Sequence, residues 1–170
     1  MNLPKEVGKT ARETGKSFAF AESVTGGLAA SLVTDVPGSS RYFFASFVTY
    51  SNESKVNVLG VNEDTLLRYG AVSAQVAKQM ASGARRVAGS DVGASCSGIA
   101  GPGGATDAKP IGLVYFAVDD GTRVFSEKQI FYGDRWAIKS QAAIRMLELV
   151  NSALKGRKAS RGRSHRERAD

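Results

Sequence analysis

Apolar positions along this chain switch between the helical and the strand period several times, and the order of the switches predicts the fold. Leu3, Val7 and Ala11 share one face of residues 3–14, a helix that Gly15 is placed to end. A short buried strand over 17–21 follows at once. Two glycines then lead into a helix-forming run that stops before Pro37. Residues 41–50, RYFFASFVTY, combine aromatic and β-branched side chains as a central strand would. Short helices over 52–59 and 63–69 each end at a glycine. Ser73 caps a longer helix in which Val76, Ala77, Met80, Ala84 and Val87 keep helical spacing. A second buried strand, 92–99, opens into the loop AGPGGATDAKP. Residues 111–119 and 122–132 read as a hairpin turning at Asp120-Gly121. Asp134 caps a last helix that turns Ile138, Ala142, Leu147 and Val150 inward.

Helices and strands alternate through the first half and strands gather in the second. That order predicts an α/β fold, a three-layer α/β/α sandwich around a mixed, mainly parallel sheet. One domain over residues 1–155 accommodates it, since a chain of 170 residues with 42% hydrophobic content buries an adequate core. No apolar run is long enough to span a bilayer and the first residues lack the core of a signal peptide, so the expectation is a cytoplasmic protein without membrane contact.

Two compositional facts narrow the chemistry. Cys96 is the single cysteine, so no internal disulfide forms. The single histidine, His165, falls in a polar C-terminal stretch, which leaves the body without an imidazole for a zinc site or for the base of a Ser-His-Asp triad. The formal charge of +7 belongs mostly to that same stretch: residues 155–170 hold seven Lys/Arg and two Asp/Glu, leaving +2 for the rest. Residues 156–170 therefore read as a basic, disordered tail. It is either merely solvated or an arm for nucleic acid or another acidic partner.

Three stretches could carry chemistry. In AESVTGG, residues 21–27, Ser23 sits between a buried strand and a helix. Backbone N–H groups and the positive helix end would there suit an anion or a developing oxyanion; the alternative is a simple N-cap by Ser23 or Thr25. SGIAGPGG, residues 97–104, again follows a strand end, where ligands collect in open α/β sheets, or else is a structural loop. FVTYSNESK, residues 47–55, places Tyr50 and Lys55 after a strand. A serine nucleophile without histidine needs another base, and a desolvated lysine can serve, although a lysine on a short helix can equally be solvated. Arg135, after Gly133-Asp134, is either a phosphate-gripping fork or a surface arginine.

Taken in series, AESVTGG, PGSS, FVTYSNESK, GAVS, SGIAGPGG, KPIG and FYGDR resemble the nicotinamide-nucleotide amidases, the family also found as the C-terminal domain of CinA, the competence/damage-inducible protein. The resemblance covers residues 1–152. It implies hydrolysis of nicotinamide mononucleotide to nicotinic acid mononucleotide and ammonia by a cofactor-free, metal-free Ser-Lys mechanism in pyridine-nucleotide recycling. By that resemblance Ser23 is the nucleophile, Lys55 its base and Tyr50 a hydrogen-bonding partner in proton movement. Thr25, Gly26, Gly27, Ser40, Ser97, Gly98 and Arg135 line the nucleotide site. It also implies a homo-oligomer. A non-catalytic nucleotide-binding domain of the same fold is the rival. Val24 and Ser97 stand where the family frequently has cysteine and threonine.

Overall fold

The computed structural model describes residues 2–156, so the expectation of a basic tail lies, Gly156 apart, outside the described residues. Six helices and five strands follow in the order α1 Leu3–Thr14, β1 Phe18–Glu22, α2 Leu28–Thr34, β2 Phe43–Val48, α3 Asn52–Leu59, α4 Glu63–Tyr69, α5 Ala74–Ala88, β3 Val92–Gly98, β4 Leu113–Asp119, β5 Val124–Ile130 and α6 Arg135–Leu154. Capping explains many of the boundaries. Asn2, Ser51, Asn62, Ser73 and Asp134 each accept from a backbone N–H of the first turn of their helix, and Gly15, Gly60 and Gly89 end theirs at positive φ.

The strands form one sheet in the order β2-β1-β3-β4-β5. β1 pairs in parallel with β2 and β3, while β4 runs antiparallel to both β3 and β5, so four of the five strands point the same way. Strand alternation sends Phe18 and Phe20 of β1, Ala94 and Cys96 of β3, and Val114, Phe116 and Val118 of β4 to one face. There they pack on α1, α2 and α6 through Val7, Ala29, Ile138, Met146 and Leu147. Ala21 faces the other side, under Leu59, Leu66, Val76 and Met80 of α3, α4 and α5. The result is the three-layer α/β/α arrangement with a mixed sheet.

Strand pairing departs from expectation in two places. Residues 41–50 do not form a central strand: β2 is an edge, paired with β1 alone, and Phe44 and Val48 are half exposed. Its aromatics are used on the faces instead. Phe43 packs on Phe18 and Phe20 at ring-centroid distances of 5.4 and 5.1 Å, and Phe47 joins the cluster under α3 and α5. A register shift makes both contacts possible. Phe43 and Ala45 pair with the consecutive residues Phe18 and Ala19, so Phe44 bulges out and the strand's facing inverts beyond it. The hairpin turn also shifts by one residue: Asp120 N–H donates to Arg123 O, which puts Gly121 and Thr122 at its centre.

Candidate active site

The end of β1 decides where the site opens. Phe18, Phe20 and Glu22 point toward the α1/α2/α6 layer, so Ser23, next along the chain, faces α3 and α5. Glu22 is in register with Cys96, and Ser23 N–H donates to Cys96 O at 3.1 Å, which sets Ser97 beside Ser23 at the same end of the sheet.

Lys55 comes to Ser23 from α3. Ser51 caps that helix, its Oγ accepting from Ser54 N–H at 3.0 Å, and the side chain of Lys55 folds back over the cap instead of reaching solvent. Lys55 is 1% exposed. Its Nζ stands 3.2 Å from Ser23 Oγ, 2.8 Å from Thr49 O, 3.3 Å from Tyr50 O and 3.5 Å from Ser51 O. Among the described residues no carboxylate pairs with it. Burial therefore pushes its pKa below the usual lysine value, opposed only by charge on Cys96. That thiol is itself pushed up to about 11 by burial and by Glu22, so it is uncharged at neutral pH. A neutral amine has two N–H bonds and one lone pair. The Thr49 and Tyr50 carbonyls can take the two N–H bonds, leaving the lone pair for the Ser23 hydroxyl.

Ser23 and Lys55 line a cavity of about 180 Å³ with Val24, Tyr50, Ala71, Val72, Ser97, Gly98, Ala100 and Arg135. Among the described residues no acidic side chain lines it. Arg135 Nη1 donates to Gly101 O at 2.6 Å and Nη2 to the Tyr50 hydroxyl at 3.0 Å, so its charge meets only neutral acceptors there. Tyr50 is 61% exposed, and its hydroxyl is occupied by Arg135; what reaches Lys55 is its backbone carbonyl. Ser97 Oγ donates to Ala71 O at 2.7 Å, tying β3 to the loop before α5. A Cβ on Gly98 would sit 2.6 Å from Leu113 O, so glycine there lets β3 and β4 approach.

The remaining residues named from the sequence do not line the cavity. Thr25 is buried, its Oγ1 donating to Glu22 Oε2 at 2.7 Å and lying 3.1 Å from Cys96 Sγ. Gly26 and Gly27 adopt φ of 63° and 96°, values that L side chains rarely take, and shape the turn into α2. Ser40 lies in the 3₁₀ turn Ser39–Arg41 before β2. Because β1 and β2 run parallel, that turn is at the opposite end of the strands from Ser23.

Glu22 is the residue that sequence reasoning passed over. It is fully buried, and its carboxylate accepts from the Thr25 hydroxyl, from Gly27, Ala29 and Ala30 N–H, and from the Ser46 hydroxyl, at 2.7 to 3.1 Å. The α2 N-terminus expected to meet an anion or oxyanion is thus already filled from within. An acid ending a buried strand just before a Gly-Gly helix start was the available signal.

Among the described residues no group of three or more His, Cys, Asp or Glu could hold a metal ion, and no helix is long and apolar enough to cross a membrane. A larger hollow, about 300 Å³ between α3 and α4, is lined by Asn52, Glu53, Val56, Asn57, Glu63, Leu66 and Leu67 and holds no nucleophile-base pair.

Known proteins resemble this chain in sequence and in fold. A nicotinamide-nucleotide amidohydrolase PncC of Enterobacter agglomerans is 50% identical over 148 residues, 86% of this chain and 90% of that protein. A CinA-like protein of Chloroherpeton thalassium is 46% identical over 161 residues, which are 90% of this chain but 38% of the relative, so the chain spans about two fifths of that protein's length. A CinA superfamily protein of Klebsiella pneumoniae superposes with a TM-score of 0.87 at 31% identity, covering 91% of this chain and 96% of that one. The competence/damage-inducible protein CihA of Agrobacterium tumefaciens does so with a TM-score of 0.84 at 34% identity, over 90% and 96%. The model of the CinA C-terminal domain matches residues 1–154, which hold all five strands and the whole cavity. By sequence and by fold, then, this chain belongs to the CinA C-terminal domain family.

Proposed function

We propose that this chain is an amidohydrolase that converts nicotinamide mononucleotide to nicotinic acid mononucleotide and ammonia, with Ser23 as nucleophile and Lys55 as base. The observation that carries this reading is the 3.2 Å approach of Ser23 Oγ to a buried lysine amine that lacks a carboxylate partner among the described residues. The name of the Enterobacter relative supports the substrate class, and Arg135 in a cavity without acidic lining suits a substrate carrying a phosphate.

Neutral Lys55 takes the Ser23 proton as Oγ adds to the amide carbon. The N–H of Val24, which no hydrogen bond engages among the described residues, is the nearest free donor along the chain for the oxyanion. The Lys55 ammonium returns the proton to the amide nitrogen, the C–N bond breaks and ammonia leaves an ester on Ser23. Water then adds to that ester, Lys55 receives its proton and passes it to the departing Ser23 Oγ, and the carboxylic acid is released. The ring bearing the carboxamide occupies the cavity, while ribose and phosphate extend past Tyr50 toward Arg135.

The test is ammonia release from nicotinamide mononucleotide in metal-chelating buffer, beside Ser23→Ala. Release by the unaltered protein and none by the variant is the expected outcome. Silence from both, with the nucleotide still bound, would instead identify a binding domain.

A further inference from the structure

Both halves of the Ser23–Lys55 pair hang on one buried carboxylate. Glu22 Oε2 accepts from the Thr25 hydroxyl and from Gly27 and Ala29 N–H, which fixes the turn that follows Ser23. Glu22 Oε1 accepts from Ala30 N–H at 2.9 Å and from the Ser46 hydroxyl at 3.0 Å. Ser46 belongs to β2, and the end of β2 runs into Thr49, Tyr50 and Ser51, whose carbonyls surround Lys55 Nζ. The Glu22 carbonyl adds a further link, accepting Thr49 N–H at 3.0 Å. The bulge at Phe44 is what brings Ser46 to this face: it puts Ser46 opposite Phe20, on the Glu22 side of the sheet.

We infer that Glu22 is a positioning residue that sets the separation between Ser23 and Lys55 by clamping the nucleophile's turn and the lysine's carbonyl cradle to a single carboxylate. This rests on the Ser-Lys reading above. Five donors converge on two oxygens, so the site requires a group that only accepts. A glutamine keeps the shape. Its NH₂, turned to the Oε1 position, faces Ala30 N–H as donor against donor, while the Ser46 hydroxyl can rotate to accept. The clamp is loosened on the β2 side without removing the side chain that fills the core.

Three readouts on folded Glu22→Gln test this. Amide turnover should lose tenfold or more in kcat with KM within about threefold, the mark of a displaced reacting group and not of weakened binding. Phosphonylation of Ser23 by a fluorophosphonate, in which Oγ displaces fluoride from phosphorus, should slow by a similar factor. Acylation of Lys55, followed against surface lysines by mass spectrometry, should become faster as the cradle opens. Ser46→Ala, which removes only the β2 leg, should act in the same direction with a smaller effect. Combined with Glu22→Gln, it should add little further loss.

Unchanged kcat and Ser23 labelling in folded Glu22→Gln, or a loss confined to KM, overturns the inference; if that variant does not fold, unchanged values in Ser46→Ala do so. Should the unaltered protein release no ammonia yet label at Ser23, the substrate reading fails while the labelling rates still decide the role of Glu22. Should Ser23 resist labelling altogether, the Ser-Lys reading fails, and Lys55 acylation that stays unchanged in the variant overturns the clamp.

Discussion

Lys55 Nζ lies 3.2 Å from Ser23 Oγ, 32 residues away in the chain, and its other near neighbours are three backbone carbonyl oxygens. Those carbonyls hold the amine at the serine without an acidic partner, which would raise its pKa far more than a carbonyl does. Lys55→Met keeps most of the buried volume and removes the nitrogen. The expected outcome is a fall in kcat on the order of 10²- to 10⁴-fold, the usual contribution of a general base, in a protein that still folds. Steady-state ammonia release with circular dichroism as the folding control measures it; near-wild-type turnover would remove Lys55 from the mechanism.

Activity should rise with pH. The proposed chemistry requires neutral Lys55, and burial puts its pKa below the ordinary value of 10.5, so kcat/KM should climb along an acid limb below that pH. Stability carries the same sign. Between the lowered folded pKa and the unfolded one, the unfolded chain binds the extra proton, so the Lys55 contribution to stability improves as pH rises through that window. Below the folded pKa the cost of burying the ammonium is fully felt. Urea unfolding at a series of pH values, for the unaltered protein and Lys55→Met, should show a smaller gain with rising pH in the variant.

Arg135 and Tyr50 separate by substitution. Arg135 uses two different nitrogens to reach Gly101 O and the Tyr50 hydroxyl, a fork that lysine cannot reproduce. Arg135→Lys should raise KM for the mononucleotide by about tenfold or more with a smaller change in kcat, equivalent to losing roughly 1.4 kcal/mol of binding. Tyr50→Phe removes only the hydroxyl and leaves the backbone carbonyl on Lys55, so kcat should stay within about fivefold, roughly 1 kcal/mol, because the bond that it loses, donated by the charged Arg135, is exposed to solvent. A far larger loss in kcat would restore the Tyr50 hydroxyl to the proton path.

Most of the fold could be read from the chain because its signals are local. Ser73 and Asp134 cap helices, Gly15 and Gly60 end them, and the buried runs of β1 and β3 stand out by composition. What could not be read depends on pairing. The apolar density of residues 41–50 gave no sign that β2 takes an edge or that Phe44 bulges, since register is set by the neighbouring strand. The site divides in the same way. Ser23, Lys55, Ser97 and Arg135 were visible as residues placed at strand ends and helix starts, but the fold-back of the lysine over the Ser51 cap is tertiary. Glu22 had a local signal in its place between a buried strand and a Gly-Gly helix start, but the five donors that define its role come from the turn into α2, from α2 and from β2 and are seen only in the fold. Ser40 is the reverse case, a motif residue that the parallel pairing of β1 and β2 leaves at the far end of the strands from Ser23.

Gly98 tests whether close packing of β3 on β4 supports the site. A Cβ there would come within 2.6 Å of Leu113 O and 3.0 Å of Val114 Cα, both backbone atoms of the adjacent strand, so the sheet must open for alanine to fit. Gly98→Ala should lower stability by about 1–3 kcal/mol, the usual range for overpacking a well-filled region. It should also lower turnover, because Ser97 and the cavity wall move with the strand. Gly103→Ala is the control: a Cβ there meets nothing within 4 Å and φ is not positive, so the change should stay within about 0.5 kcal/mol. Urea denaturation midpoints and ammonia release for the two variants measure the difference. Equal stability would mean that β3 and β4 can separate at Gly98 at little cost, and that the tight approach of the strands does not hold the cavity wall in place.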